Sequence, residues 1–110
     1  MKEENIEIKN ENTSIKTVEL KRPVEYNGVT YDKLEFNFDS LSGADLLNIG
    51  DELRSQGKVT VSPIASSPFL AATAIRACTA PIGTDIYDLL SFYDAAKIEQ
   101  MTRNFMLGVD

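Results

Sequence analysis

The stretch that decides the fold is VELKRPVEYNGVTYDKLEFNF, residues 18–38. Its centre, Asn27-Gly28, lies between two runs of alternating apolar residues. Asn-Gly is the preferred pair for a type I′ turn, because both central positions of that turn need φ > 0. The pattern therefore predicts a β-hairpin closed at this dipeptide.

The register of the hairpin needs one irregularity. The predicted pairs are Tyr26 with Val29, Val24 with Tyr31, Leu20 with Phe36, and Val18 with Phe38. All of these fall on one face only if an extra residue is inserted, and we predict a bulge near Asp32-Lys33 of the second strand. Pro23 lacks a ladder donor, which predicts an edge strand. Because a lone two-stranded ribbon is marginal in water, the hairpin must pack on the rest of the chain.

The composition is that of one globular domain with an acidic balance. The chain has 110 residues, 43% of them hydrophobic and 25% charged, and a formal net charge of -6. Without clustered Lys and Arg, we expect no nucleic-acid partner. The least polar run, residues 59–75, is broken by Pro63 and Pro68, so we expect no membrane span. The start, Met-Lys-Glu-Glu-Asn, has no apolar segment typical of a signal peptide, and we expect a cytoplasmic protein.

The first 16 residues differ from the remainder. Residues 1–16 are rich in Glu, Lys and Asn, and they are predicted to form a flexible charged N-terminal tail. The alternative is a third strand, because Ile6-Glu7-Ile8 alternates. Residues 17–110 are predicted to form a single small α+β domain.

The first helix is predicted from Ser42 to Gln56. Ser42 is a favourable N-cap, Asp45 at the third helical position suits the positive helix end, and Gly57 supplies the stop. Gly50 falls inside the apolar stripe of this helix. Since glycine weakens a helix interior, we expect a close-packed neighbour across Gly50, with the hairpin's apolar face as the candidate.

Two further helices and a helical turn follow. Residues 58–64 are expected to be extended, and Ser67 is expected to cap a helix that begins at Pro68 and ends near Thr79. This helix is apolar around most of its surface, which indicates a central helix or one covered by a partner. A turn from residue 84 or 85 through Leu90 precedes a last helix, which is capped by Ser91, with Asp94 three residues on, and reaches Leu107. The architecture predicted is therefore α+β: a hairpin followed by three to four helices.

No catalytic constellation is present in the sequence. The chain has no His and a single Cys, which excludes the common zinc sites and the nucleophile–His pairs. Cys78 is expected to act as a small buried hydrophobe, and a lone Cys fits a reducing compartment. Asp85 and Asp88 lie one helical turn apart and could hold a divalent cation, but capping of a helix start explains them better. We expect no enzyme, metal or cofactor.

Two features of the helices leave a choice between structure and binding. Arg76 is the only charge between Lys58 and Asp85. It could clamp a partner's carboxylate, or it could pair internally with Asp85, Asp88 or a helix carbonyl. The methionines on the last helix could serve an adaptable binding surface or plain core.

The order of these parts resembles the phage tail assembly chaperones of Mu-like and related contractile-tail phages and prophages. The resemblance is carried by residues 18–28, 29–36 and 41–45, and near the C-terminus by Leu89-Leu90, Asp94 and Phe105-Met106. It covers about residues 17–107.

The resemblance implies a non-enzymatic protein that binds the tape measure protein before tail tube assembly. In many such phages a frameshifted, extended form is thought to recruit the tail tube protein, and this chain would correspond to the short form or to a system without one. A chaperone for apolar helical targets needs adaptable apolar surface and net charge. The residues we predict to bind the partner are Phe69, Leu70, Ile75, Arg76, Ile98, Met101, Phe105 and Met106. The alternative is a structural or connector subunit retained in an assembled particle, with self-association through the hairpin edge.

Overall fold

The computed structural model describes residues 15–109 and has an α+β fold. Strands β1 (Ile15–Tyr26) and β2 (Val29–Asn37) form an antiparallel hairpin. The helices that follow are α1 (Gly43–Ser55), α2 (Ser67–Ala77) and α3 (Phe92–Leu107). Short 3₁₀ turns lie at Phe38–Ser40, Pro63–Ala65 and Thr84–Asp88. The predicted fold class is confirmed.

The hairpin closes where the sequence predicts. Asn27 has φ 51° and Gly28 has φ 82°, the left-handed values that a type I′ turn requires. Tyr26 lies opposite Val29 and Val24 opposite Tyr31, as predicted.

The rest of the predicted register is wrong. Val18 lies opposite Leu34, not Phe38, and Phe36 lies opposite Lys16, not Leu20. The irregularity is on the first strand, because residues 20–23 of β1 stand against residue 32 alone on β2. The shift still preserves the parity that buries Val18, Leu20, Val24, Leu34, Phe36 and Phe38 together.

The bulge has a physical cause on β1. Pro23 has no N–H to give to a ladder, and the N–H groups of Lys21 and Arg22 are donated instead to the carboxylate of Asp94 on α3. β1 therefore stops pairing with β2 at the residues whose N–H groups bind the Asp94 carboxylate. Nothing within residues 18–38 signals that contact.

β1 begins at Ile15, so Ile15 and Lys16 belong to the hairpin and not to the predicted tail. The remaining tail, residues 1–14, and with it the alternative strand around Ile6 and Ile8, lies outside the described residues.

The helix caps follow the sequence closely. Ser42 and Asp45 form a reciprocal capping box at the start of α1, and Gly57 has φ 80° just past its end. Ser91 accepts the N–H of Asp94 at the start of α3. The cap of α2 is Ser66, not Ser67, because its hydroxyl accepts the N–H of Phe69. α2 ends at Ala77, two residues before the predicted end near Thr79.

The segment between α1 and α2 forms no strand. Residues 58–62 are irregular, and Pro63 starts a 3₁₀ turn where an extended chain was expected. Pro has φ fixed near that of a helical turn, which favours this outcome.

The main core lies between the hairpin, α2, α3 and the Thr84–Asp88 turn. Its buried members include Phe36, Leu34, Ala74, Ile86 and Ile98. The ring of Phe38 stacks on that of Phe105 with centroids 4.7 Å apart, which joins the hairpin to α3. α2 contacts the hairpin and both other helices, so the interpretation of α2 as a central helix is confirmed.

α1 does not dock on the hairpin through Gly50. It packs chiefly against α2, where Ile49, Leu53 and Phe69 form a second small core cluster. A Cβ placed on Gly50 would have nothing within 4 Å, so the expected close neighbour is absent. The glycine faces an opening instead.

Candidate partner-binding groove

An open apolar groove runs beside α1 at Gly50. Its volume is about 330 Å³. We call it the α1 groove, and its lining residues are Leu46, Gly50, Arg54, Lys58, Val59, Thr60, Pro63 and Phe69. Gly50 has no side chain to fill the groove, and a Cβ placed there would meet no atom within 4 Å. The glycine therefore keeps the groove open, which explains its place in the apolar stripe of α1.

A second, smaller cavity shares two lining residues with the α1 groove. It has a volume of about 80 Å³, is lined by Leu46 and Phe69 as the groove is, and reaches Phe105 and Met106 near the end of α3. Most of its lining is apolar, since Leu41 and Ile49 contribute to it as well. We call the two cavities together the trough, and their lining residues include parts of α1, α2 and α3.

Several apolar side chains at the α1 groove are strongly exposed. Val59 is 87% exposed and Leu46 is 50% exposed. Leu47 and Val61 are 70% and 93% exposed but do not line the groove. Exposed apolar side chains that line one groove are more typical of an interaction site than scattered single residues are.

The predicted binding residues divide into core and groove. Phe69, Leu70 and Ile98 are buried, with Phe69 at the base of the groove. Phe105 and Met106 are half-buried and line the trough's far end. Ile75 and Met101 pack on the main core, and Met101 lines a separate cavity with Phe38 and Phe105. The trough thus brings together Phe69, Phe105 and Met106 from the predicted set.

Leu46, Gly50, Val59 and Pro63 were missed as site residues. The signal that could have found them is the pairing of a glycine inside an apolar helical stripe with an unpatterned Val59-Thr60-Val61 run downstream. A glycine without a packing partner leaves room for an external side chain.

Arg76 makes an internal ion pair, but not with the predicted partners. Its Nη1 donates to Oδ1 of Asp45 at 2.7 Å, and Glu52 lies at 4.0 Å from Nη2. The pKa of Asp45 is lowered, first by the Ser42 N–H that it accepts and then by Arg76. Arg76 therefore ties α2 to the start of α1, and Asp85 instead accepts the Tyr26 hydroxyl at 2.6 Å.

Asp94 is the most buried carboxylate of the described chain. It is 0% exposed, and it accepts the N–H of Lys21 at 2.9 Å and that of Arg22 at 3.2 Å. Burial raises the pKa of its carboxyl, but the two backbone donors, with Ser91 and Lys97, more than offset this, so the pKa lies below its usual value. This residue is a structural anion, and its partners are backbone donors.

The edges of the hairpin are partly taken by other elements. Thr79 donates its N–H to the carbonyl of Glu35, and Cys78 forms an isolated bridge with Phe36. On β1, the donors of Lys21 and Arg22 are used by Asp94, and Tyr26 is held by Asp85 and Gly83. Strand addition from a second copy would have to use the stretches between these contacts.

Burial does not activate Cys78 or Tyr87, two titratable groups of the described residues, as a nucleophile. Burial raises the pKa of the half-buried Cys78 thiol, and it raises that of the Tyr87 hydroxyl with help from the Glu99 charge. A raised pKa keeps the thiol protonated and less nucleophilic. Among residues 15–109, no group of three or more His, Cys, Asp or Glu is placed to hold a metal ion. Over the same residues, no helix is both long and apolar enough to cross a bilayer.

Comparisons with family models, with curated proteins and with solved structures give no match.

Proposed function

We propose that this chain is a non-enzymatic tail assembly chaperone that binds the tape measure protein in the bacterial cytoplasm and keeps it soluble before tail tube assembly. The observation that carries the proposal is the α1 groove, an open apolar groove into which Gly50 projects no side chain. The order of hairpin and helices, with the residues that resemble this chaperone family, supports the same function.

The groove suits an amphipathic helix of the target. Such a helix presents apolar side chains at i, i+3 and i+4, and these insert in a row into a hydrophobic groove. The α1 residues that line the groove run from Leu46 to Arg54, and at about 1.5 Å per residue they offer roughly 12 Å of wall, or about two turns of a parallel target helix. Leu46, Val59 and Phe69 would contact the target's apolar side chains, and Arg54 and Lys58 lie at the rim.

Co-expression with the tape measure protein encoded in the same genome tests the proposal. We expect more soluble target with this chain than without it, and less rescue by Val59→Asp, which places a charge in the groove. Val61→Asp is the matched control, because Val61 is equally exposed and does not line the groove. If the target is as insoluble with the chain as without it, the proposal fails.

The alternative, a structural subunit retained in an assembled particle, would depend on the hairpin edges. Contacts from Asp94 and from Cys78-Thr79 already occupy part of both edges, which favours the chaperone. Mass spectrometry of purified particles separates the two functions. A chaperone is absent from them, whereas a subunit is present in fixed stoichiometry.

A further inference from the structure

A basic aromatic patch lies where β1 meets the start of α3, and none of its residues lines the α1 groove. The Nζ of Lys21 is 4.3 Å from the centroid of the Tyr93 ring, and that of Lys97 is 5.9 Å from it. Arg22, next to Lys21, donates from Nη2 to the carbonyl of Leu89 at 3.2 Å. The patch consists of Lys21, Arg22, Leu89, Phe92, Tyr93 and Lys97.

Phe92 gives the patch its most exposed apolar side chain. It is 90% exposed, while Tyr93 is 53% and Leu89 is 42% exposed. Phe92 lies on the first turn of the 16-residue α3, so the helix fixes its backbone and the point from which the ring projects.

None of the three cations of this patch forms an ion pair with a carboxylate of the described chain, although the charge of Lys97 helps to lower the pKa of the buried Asp94. Arg54, Arg76 and Arg103 each form an ion pair there, with Asp51, Asp45 and Glu99 respectively. Among residues 15–109, Lys21, Arg22 and Lys97 form none. The nearest acid on α3, Asp94, is buried and already accepts two backbone N–H groups. The patch is thus locally cationic on a chain of net charge -6.

The cationic side chains are positioned by the buried contact beneath them. Asp94 fixes the backbone of Lys21 and Arg22 against the first turn of α3, which carries Tyr93 and, one turn on, Lys97. Side chains from two distant parts of the sequence therefore share one surface, since Lys21 and Asp94 are 73 residues apart.

We propose that this patch binds an acidic segment of a partner protein that carries an apolar or aromatic side chain between its carboxylates. Lys21, Arg22 and Lys97 pair with the carboxylates, and Phe92 and Tyr93 contact the apolar side chain. Charge complementarity selects this occupant, because unpaired cations around exposed rings attract carboxylates at close range and repel basic segments. The proposal is independent of the α1 groove and of its target.

A peptide titration on the full chain tests the proposal. The probe is a short synthetic peptide of glutamates alternating with leucine and phenylalanine, followed by NMR of backbone amides. We expect saturable binding with shifts centred on Arg22, Phe92, Tyr93 and Lys97, weakening as salt is raised. The matched peptides carry glutamine for glutamate, or serine for the apolar residues, and we expect each to bind at least about tenfold more weakly.

Two variants locate the site. Lys97→Glu should weaken the peptide's affinity by at least about tenfold, and Lys58→Glu, which makes the same change of net charge at the α1 groove, should leave it nearly unchanged. Phe92→Ser should also weaken binding, and the side chain's exposure allows this change without loss of fold. The proposal is overturned if Lys58→Glu weakens binding as much as Lys97→Glu, or if the glutamine peptide binds equally well. It is overturned also if the acidic peptide does not bind, whether or not a single-stranded oligonucleotide or anionic vesicles do.

Discussion

The carboxylate of Asp94 accepts the backbone N–H of Lys21 at 2.9 Å, and this contact ties the first strand of the chain to its last helix. Together with the Arg22 contact it explains why β1 leaves the hairpin ladder between Glu19 and Val24. The same contact buries a charge whose hydrogen bonds come from backbone N–H groups, and the charge of Lys97 favours its ionised form as well.

Replacing Asp94 should destabilise the fold. Asp94→Ala removes the acceptor of the part-buried Lys21 and Arg22 N–H bonds, and a donor left buried without a partner costs about 1–3 kcal/mol. We expect the free energy of unfolding in urea to fall by about 2–3 kcal/mol, with accelerated amide exchange at Lys21 and Arg22. The control is Asp88→Ala, an exposed carboxyl on the preceding turn, for which we expect about 0.5 kcal/mol or less. Equal losses for the two variants would contradict the anchoring role.

Stability should fall on acidification. The pKa of Asp94 and that of Asp45 are lower in the folded chain than the ordinary value of 3.8. A lowered folded-state pKa contributes stability that is present above the unfolded pKa and is lost as pH falls through the folded one. Urea unfolding at a series of pH values should therefore give a plateau above about pH 5 and a decline below about pH 4.

The variant Asp94→Asn measures how much of the loss of stability at low pH comes from Asp94. Asp94→Asn does not titrate, so its free energy of unfolding should change less between pH 5 and pH 3 than that of the unaltered chain. A variant with an unchanged acid slope would show that other carboxyl groups cause the decline.

Truncation to alanine should lower the free energy of unfolding strongly at one phenylalanine and hardly at all at another. Phe36 is 1% exposed in the main core, whereas Phe92 is 90% exposed. Phe36→Ala removes buried contacts and opens a cavity, which typically costs about 3–5 kcal/mol. Phe92→Ala should change the free energy of unfolding by about 0.5 kcal/mol or less. Thermal or urea unfolding of both variants checks the burial pattern, and a large loss for Phe92→Ala would show that its ring is packed.

Local signals predicted the hairpin and the three helices but not the 3₁₀ turn at Pro63, and contacts distant in sequence decided the strand register. Asn27-Gly28, Ser42 with Asp45, Gly57 and Ser91 each act within a few residues, so the turn and the helix ends they specify were predicted correctly. The strand register depends on Asp94, which is far away in sequence, and no pattern in the hairpin encodes it. The packing partner of α1 was missed for the same reason, because amphipathicity shows that a face is buried but not against what.

The candidate site was predicted in part. Phe105 and Met106 were chosen for helical spacing, and they do line the trough, but the same spacing also selected the buried Ile98. The apolar surface of α2 likewise selected the buried Leu70. Periodicity alone does not separate core from groove, since both are apolar. The open side became visible only with the space above Gly50 in the structure.

Gly50 should be replaceable by Ala with a gain in stability. It lies within α1, a Cβ there meets nothing within 4 Å, and alanine is favoured over glycine in a helix interior by about 0.5–1 kcal/mol. We expect the free energy of unfolding of Gly50→Ala to rise by about that amount, and Gly50→Leu to fold as well. The two variants should differ in target binding, because the larger side chain occupies the α1 groove. Rescue of the co-expressed tape measure protein should persist in Gly50→Ala and fall in Gly50→Leu. Full rescue by Gly50→Leu would place the target elsewhere, whereas a loss of stability in Gly50→Ala would mean that the groove floor is not open.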